Sequence, residues 1–201
     1  MVPDSAFRTP HSAFLRLFLA IPLPEHVRGE LLRLQHQLQP LLPSRAVRWT
    51  KPEQFHLTLI FLGNVPAADT AALSRAVHAV CDTAPPMRLR AEGVGFFPDI
   101  RSPRVFWVDI KSVDGHLADF QRQLGLSVQP FAEKEEAKKF TAHVTLARFE
   151  KLLHHDTDKL KAASAIDKTF GEWTAEEVQL IKSSLQPSGA LHVILERFTT
   201  K

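Results

Sequence analysis

The chain is poor in cysteine: Cys81 is the only one in 201 residues. A single thiol permits no internal disulfide. That excludes a small disulfide-stapled secreted scaffold and points to a reducing, cytoplasmic setting. The thiol falls in a helical pattern and reads as a small core residue. No long hydrophobic run is present either. The stretch from Ala13 to Pro24 is apolar but is interrupted by Arg16, Pro22 and Pro24. It is too short to span a bilayer and lacks a small-residue cleavage site, so no membrane partner is expected. It reads as a central strand, with residues 1–12 a loose leader before it. No low-complexity linker divides the chain, which is expected to be one bilobal unit over residues 1–201 and a monomer. Net charge is small at +3, although a pI near 9.2 leans basic. This suits a phosphate-bearing partner without requiring one. Two catalytic motifs are missing. Without G-x-S-x-G there is no recognisable nucleophile for acyl transfer, and without G-x-x-x-x-G-K-[ST] an ATP-driven ligase is not expected. The remainder, 44% apolar and 23% charged, is ordinary for a soluble globular protein long enough to bury a core.

What the chain does contain is a repeated tetrapeptide, His-x-Thr-Leu. One copy is His56-Leu57-Thr58-Leu59 within QFHLTLIFLG, and the other is His143-Val144-Thr145-Leu146 within FTAHVTLARF. A shuffled chain of this composition carries it about 0.08 times. Both copies lie in β-like apolar runs. Strict alternation along a strand then puts His56, Thr58 and Ile60 on one face and Phe55, Leu57, Leu59 and Phe61 on the other. In the second copy His143, Thr145 and Ala147 share a face, opposite Val144 and Leu146. Each His-Thr pair looks out of its sheet while the leucines look into a core. The competing reading is two ordinary half-exposed strand histidines.

The rest of the pattern alternates strands and helices. Strands are predicted over 15–21, 47–49, 56–62 (closed by Gly63-Asn64), 87–96, 104–110 and 142–149. A hairpin joins 178–185 to 191–198 around Gln186-Pro187-Ser188-Gly189. Helices are predicted from Pro24 to Leu38, with Leu31, Leu34 and Leu38 on one stripe, and over 68–82, with Leu73, Val77 and Val80 inward. Two more are predicted over 114–124 and 156–163. Hairpins mixed with helices argue for an α+β fold with antiparallel sheets rather than a doubly wound parallel one. The twin motif suggests internal duplication: two similar lobes across a cleft, helices outside, one His-Thr pair on each wall.

Chemically, a pair of histidines can hold one protonated and one neutral ring near neutral pH. It can take a proton from a nucleophile and give one to a leaving group. Threonine hydroxyls can donate to phosphoryl oxygens where charge accumulates. A phosphodiester fits this set, and a strained cyclic one fits best because no metal is needed to open it.

RLFLAIPLP, RWTKPEQFHLTLIFLGNVP, FTAHVTLARF and SSLQPSGALHVILERF, in that order from Arg16 to Phe198, resemble the RNA 2′,3′-cyclic phosphodiesterase family. Its members are historically called 2′-5′ RNA ligases and belong to the two-histidine phosphoesterase superfamily. The resemblance implies a bilobal α+β fold with pseudo-twofold symmetry. It also implies hydrolysis of RNA 2′,3′-cyclic phosphate ends to 2′-phosphates, with reversible 2′-5′ joining to a 5′-hydroxyl and no cofactor. By the same resemblance His56 protonates the departing 3′-oxygen and His143 takes a proton from the attacking water. Thr58 and Thr145 hold phosphoryl oxygens. Arg148 matches the family's arginine after the second motif. Strict alternation sets it opposite His143, so it reaches the phosphate only if the strand twists or ends there, and a surface role stays open. The family's proline before the second histidine is replaced here by Ala142.

Substrate grip is less legible. Arg45, Arg48, Lys51, Arg101 and Arg104 flank strands and could meet RNA phosphates. Lys134, Lys138 and Lys139 sit among Glu133, Glu135 and Glu136, which cancel them. Phe61, Phe97 and Phe140 could stack a base, although such phenylalanines are more often core. His154-His155 beside Asp156 reads as a surface loop, and no metal site is expected. Two alternatives stand beside the RNA enzyme: a two-histidine phosphodiesterase for a small cyclic nucleotide phosphate, and a non-catalytic RNA-binding module.

Overall fold

The computed structural model describes residues 14–42, 45–133, 140–150, 158–160, 168–186 and 189–201. The order of elements is β1 (Phe14–Pro22), α1 (Glu25–Leu38), β2 (Val47–Trp49), β3 (His56–Pro66), α2 (Thr70–Cys81), β4 (Met87–Phe97), β5 (Val105–Ser112), α3 (His116–Val128), β6 (His143–Phe149), β7 (Thr169–Ala175), β8 (Glu177–Gln186) and β9 (Gly189–Thr199). Every strand pair is antiparallel. One sheet runs β3-β1-β8-β9 and the other β2-β6-β5-β4-β7. The fold is α+β and bilobal, as expected.

The lobes are not successive halves of the chain. β8 and β9, at the far end of the sequence, return to flank β1 in the first sheet, and β2 crosses early to the second sheet beside β6. Each lobe is stitched by the other's chain segments. Most buried side chains of both sheets and of α1, α2 and α3 form one continuous apolar cluster.

Local sequence explains most elements. β1 is buried from Leu17 to Ile21 without a break, the mark of a central strand covered on both faces. Leu17, Leu19 and Ile21 enter the main core, while Phe18 and Ala20 join Ile181 in a small second cluster on the opposite face. α1 starts after Pro24 and buries Val27, Leu31, Leu34 and Leu38 at helical spacing. α2 buries Leu73, Val77 and Cys81, with Val80 only half-buried. The thiol of Cys81 is the expected core group, and burial with the charge of Asp82 pushes it up to about 12.

Several boundaries differ from expectation. α3 runs to Val128 because Leu124 and Val128 extend its apolar stripe; Pro130 then allows only a short 3-10 turn. β3 continues through Gly63-Asn64 to Pro66 instead of ending there. Strand β7 has no counterpart in the predicted pattern. Its sequence, TFGEWTA, shows little apolar alternation, and it is an edge strand whose buried anchors are Phe170 and Ala175. Gly171, at φ +139°, lets α1 close on it: a Cβ there would lie 3.0 Å from Val27 Cγ2. Of the helix expected over 156–163, residues 158–160 are helical and the rest lies outside the described residues, as do residues 1–12. No helix among the described residues is long and apolar enough to cross a membrane.

Candidate active site

The two motif strands lie in different sheets, β3 at an edge and β6 inside. β3 pairs with β1 in one sheet, β6 pairs with β5 in the other, and β3 and β6 lie against each other where the sheets meet. In both, the leucine-type positions enter the core: Leu57, Leu59, Val144 and Leu146 are all buried. His56, Thr58, His143 and Thr145 are half-buried on the other face. Neither threonine hydroxyl has a hydrogen-bond partner among the described residues, so both remain available as donors.

Alternation fails at the same place in each strand. Along β3 the pairing with β1 steps from Thr58↔Ala20 to Ile60↔Leu19, leaving Leu59 as an extra residue. Along β6 it steps from Thr145↔Trp107 to Ala147↔Phe106, leaving Leu146 extra. Each is a β-bulge three residues after the histidine, and a bulge reverses the facing of the residues that follow it, in β3 up to a second bulge at Leu62. The reversal corrects the facing expected of Ala147 and Ile60 and decides that of Phe61 and Arg148. Ala147 does not share the face of His143; it is 0% exposed in the core. Ile60 turns from the face of His56 toward the core and α3. Phe61 and Arg148, both five residues after a motif histidine, leave the core side and join the faces of His56 and His143. Phe61 is 61% exposed, beside Phe18, whose ring lies 5.0 Å from that of His56. Arg148 is exposed, has no ion pair among the described residues, and its charge is felt at His143.

The His143 ring is held by the backbone two residues earlier. Nδ1 of His143 lies 2.7 Å from the Thr141 carbonyl. A carbonyl only accepts, so Nδ1 carries the hydrogen and the neutral ring keeps a free lone pair on Nε2. The Gln54 backbone acts on His56 in the same sense, raising it. Both rings are also packed by aromatics. His143 has Phe97 at 5.0 Å and Trp107 at 5.9 Å, and Trp107 lies flat against Gly95, leaving no room there for a Cβ. His56 has Phe18 and, edge-on at 5.6 Å, His192 of β9.

These surroundings depress both imidazoles. Burial, then the charges of His192 and His143, lower His56 to about 4, against a raising bond to Gln54. Burial also lowers His143, aided by Arg148 and opposed by the Thr141 bond and by Asp109 across the strand. His192 is lowered by burial. Such perturbed groups gathered on one surface mark a candidate site. Among the described residues no cluster of His, Cys, Asp or Glu is arranged to hold a metal ion.

Residues 21–107 match the LigT-like phosphoesterase family. An RNA 2′,3′-cyclic phosphodiesterase from Thermus thermophilus is 32% identical over 93% of this chain and 91% of its own. The chain belongs to the RNA 2′,3′-cyclic phosphodiesterase family. A crystal structure of a Thermus thermophilus protein superposes with a TM-score of 0.77 at 29% identity, covering 92% of this chain and 97% of that one. E. coli LigT complexed with phosphate superposes at 0.68 with 25% identity, over 94% and 99%.

Other predicted contacts fall unevenly on this phosphodiesterase fold. Arg48 lies directly across from Arg148 in the β2–β6 ladder, but its guanidinium is engaged by Glu150, with Nε at 3.0 Å. Arg101 pairs with Asp99 at 3.3 Å, and Arg104 donates to the Glu150 carbonyl at 3.1 Å. Arg45 and Lys51 are exposed. Phe140 is half-buried against the main core, the commoner place for such a ring, whereas Phe97 sits at the site beside His143. Lys134, Lys138, Lys139, His154, His155 and Asp156 lie outside the described residues. Sequence reasoning missed His192, Phe18 and Trp107. Nothing in spacing points to His192, which is 136 residues from its neighbour and meets it only because the first sheet brings β9 round to the site; the Gln54 side chain bonding the Ala190 carbonyl ties them there.

Proposed function

We propose that this protein hydrolyses RNA 2′,3′-cyclic phosphate ends to 2′-phosphates, using His143 as general base and His56 as general acid. Water attacks phosphorus, and its proton passes to Nε2 of His143. The P–O3′ bond breaks, and His56 delivers a proton to the leaving 3′-oxygen. A 2′-phosphate and a 3′-hydroxyl result. With a 5′-hydroxyl replacing water, the same displacement forms a 2′-5′ linkage, and hydrolysis of that linkage runs back through the cyclic ester. Thr58, Thr145 and Arg148 hold the non-bridging oxygens, where negative charge grows. Phe61 offers a ring face to the terminal base. The protein acts as a cytoplasmic monomer.

One observation carries this reading: the Nδ1–H of His143 is committed to the Thr141 carbonyl, which orients a neutral Nε2 as a base facing the substrate side. His56 is the complement. Its ring is neutral without substrate because it is lowered to about 4. A bound phosphodiester anion favours the charged ring and so loads the acid only when there is a leaving group to protonate.

The deciding experiment incubates the purified chain with a short RNA ending in a 2′,3′-cyclic phosphate in EDTA, and identifies the end group. A 2′-phosphate is expected; a 3′-phosphate, or no turnover, overturns the assignment. His56→Ala and His143→Ala should each lower kcat by roughly 10²–10⁴ with the fold intact. Full activity in either variant removes the two-histidine mechanism. A mononucleotide cyclic phosphate turned over in preference to the RNA selects the small-nucleotide enzyme. Salt-sensitive RNA binding without turnover, indifferent to histidine loss, selects the binding module.

A further inference from the structure

Burying an amide is costly unless it is hydrogen-bonded, so a fully buried glutamine requires an account of its partners. Gln35, on the inner face of α1, is 2% exposed. Its Nε2 donates to two carbonyls, Thr50 and Leu146, each at 2.8 Å. Both amide hydrogens are therefore used, and the acceptors come from distant parts of the chain. Leu146 is the extra residue of the β6 bulge, between Thr145 and Arg148. Thr50 follows β2 and opens the short turn that leads through Gln54 to His56. The Thr50 N–H also donates to the Leu146 carbonyl at 2.9 Å.

The same side chain thus grips the bulge of the second motif and the approach to the first. Without it, the Leu146 carbonyl keeps its bond from Thr50, so the strands stay joined. The Thr50 carbonyl, however, loses its donor in a partly buried place, and the bulge loses half its anchorage. What then relaxes is the facing of Arg148 and the spacing of the two histidine strands.

We propose that Gln35 is a positioning residue for both motifs: its amide pins the β6 bulge to the segment entering β3, and so holds Arg148 on the face of His143 and His143 at a fixed distance from His56. This rests on the reading of those residues as one phosphate site. The general ground is that displacing catalytic groups by an ångström from outside the site costs heavily in rate.

Gln35→Met keeps volume and removes both donors. Its kcat/KM on the cyclic-phosphate RNA should fall roughly 10- to 100-fold, with the loss largely shared with Arg148→Ala in the double variant. A substrate-free readout accompanies it. The His143 ring, followed by NMR, should titrate higher in Gln35→Met than in wild type, toward its value in Arg148→Ala, because the cation has moved away. A third measurement uses the wild type alone: the Gln35 side-chain amide protons should exchange slowly with solvent. Turnover within twofold of wild type, an unmoved His143 titration, or fast amide exchange each overturns the proposal. Should wild type not open the cyclic phosphate, the functional reading fails, while the titration and exchange arms still decide whether the clamp exists.

Discussion

At the scale of single residues, the site is defined by what surrounds two imidazoles. The pH dependence of kcat/KM reports groups in the free enzyme, and here both histidines lie below the ordinary value of 6.5, His56 at about 4. The profile should be a bell whose maximum falls between the two, below pH 6.5. A plateau extending through pH 7–8, or a maximum above 6.5, would show that the two rings are not both depressed in the free protein. Arg148 sharpens the point. Its charge is one of the causes that lower His143, so the guanidinium proposed to meet phosphate also favours the neutral form of the proposed base.

At the scale of elements, the decisive feature is the extra residue three positions after the histidine in each motif strand. A regular strand places the residues four and five positions after the histidine on its own face and on the opposite face; a bulge exchanges them. Ala147 is where this can be checked. Facing the core at 0% exposure beside its ladder partner Phe106, it sits in a packed interior, and Ala147→Leu should cost about 1–3 kcal/mol of stability by overpacking. That is readable as a lowered urea midpoint. Regular alternation would put Ala147 in the open cleft, and the same substitution would then leave stability unchanged and reduce turnover instead. The twin position in β3 shows why the device is useful: it delivers an aromatic face at Phe61 to one wall, as it delivers a guanidinium at Arg148 to the other.

At the scale of the whole molecule, two sheets share one apolar cluster, and each lobe is completed by strands from the distant part of the chain. A site split between the lobes keeps its geometry only if they do not move independently. Calorimetry should therefore show a single cooperative transition, with equal calorimetric and van't Hoff enthalpies. Two resolved transitions would mean that the lobes fold separately and that the cleft is a hinge. The interleaving also explains why α1, whose apolar stripe is plain in the sequence, serves both motifs. It packs on β7 of the second sheet while its Gln35 reaches the junction between β2 and β6.

The sequence by itself determined the strands that carry chemistry, the α+β class, the inward leucines and outward His-Thr pairs, and the family. Those follow from residue type and short-range period, which burial enforces locally wherever one face meets a core. It left Arg148 and Phe61 undecided and misplaced Ala147 and Ile60. A bulge is a property of two paired strands, and nothing within HVTLAR or HLTLIF records that the partner strand is one residue short. Strand β7 escaped notice because its burial comes from α1 closing over Gly171, not from an apolar period of its own. His192 and Gln35 gained their roles only through approach across 136 and 111 residues of chain; tertiary structure decided those, because a hydrogen bond or ring contact depends on distance in space, and separation along the chain carries no measure of it.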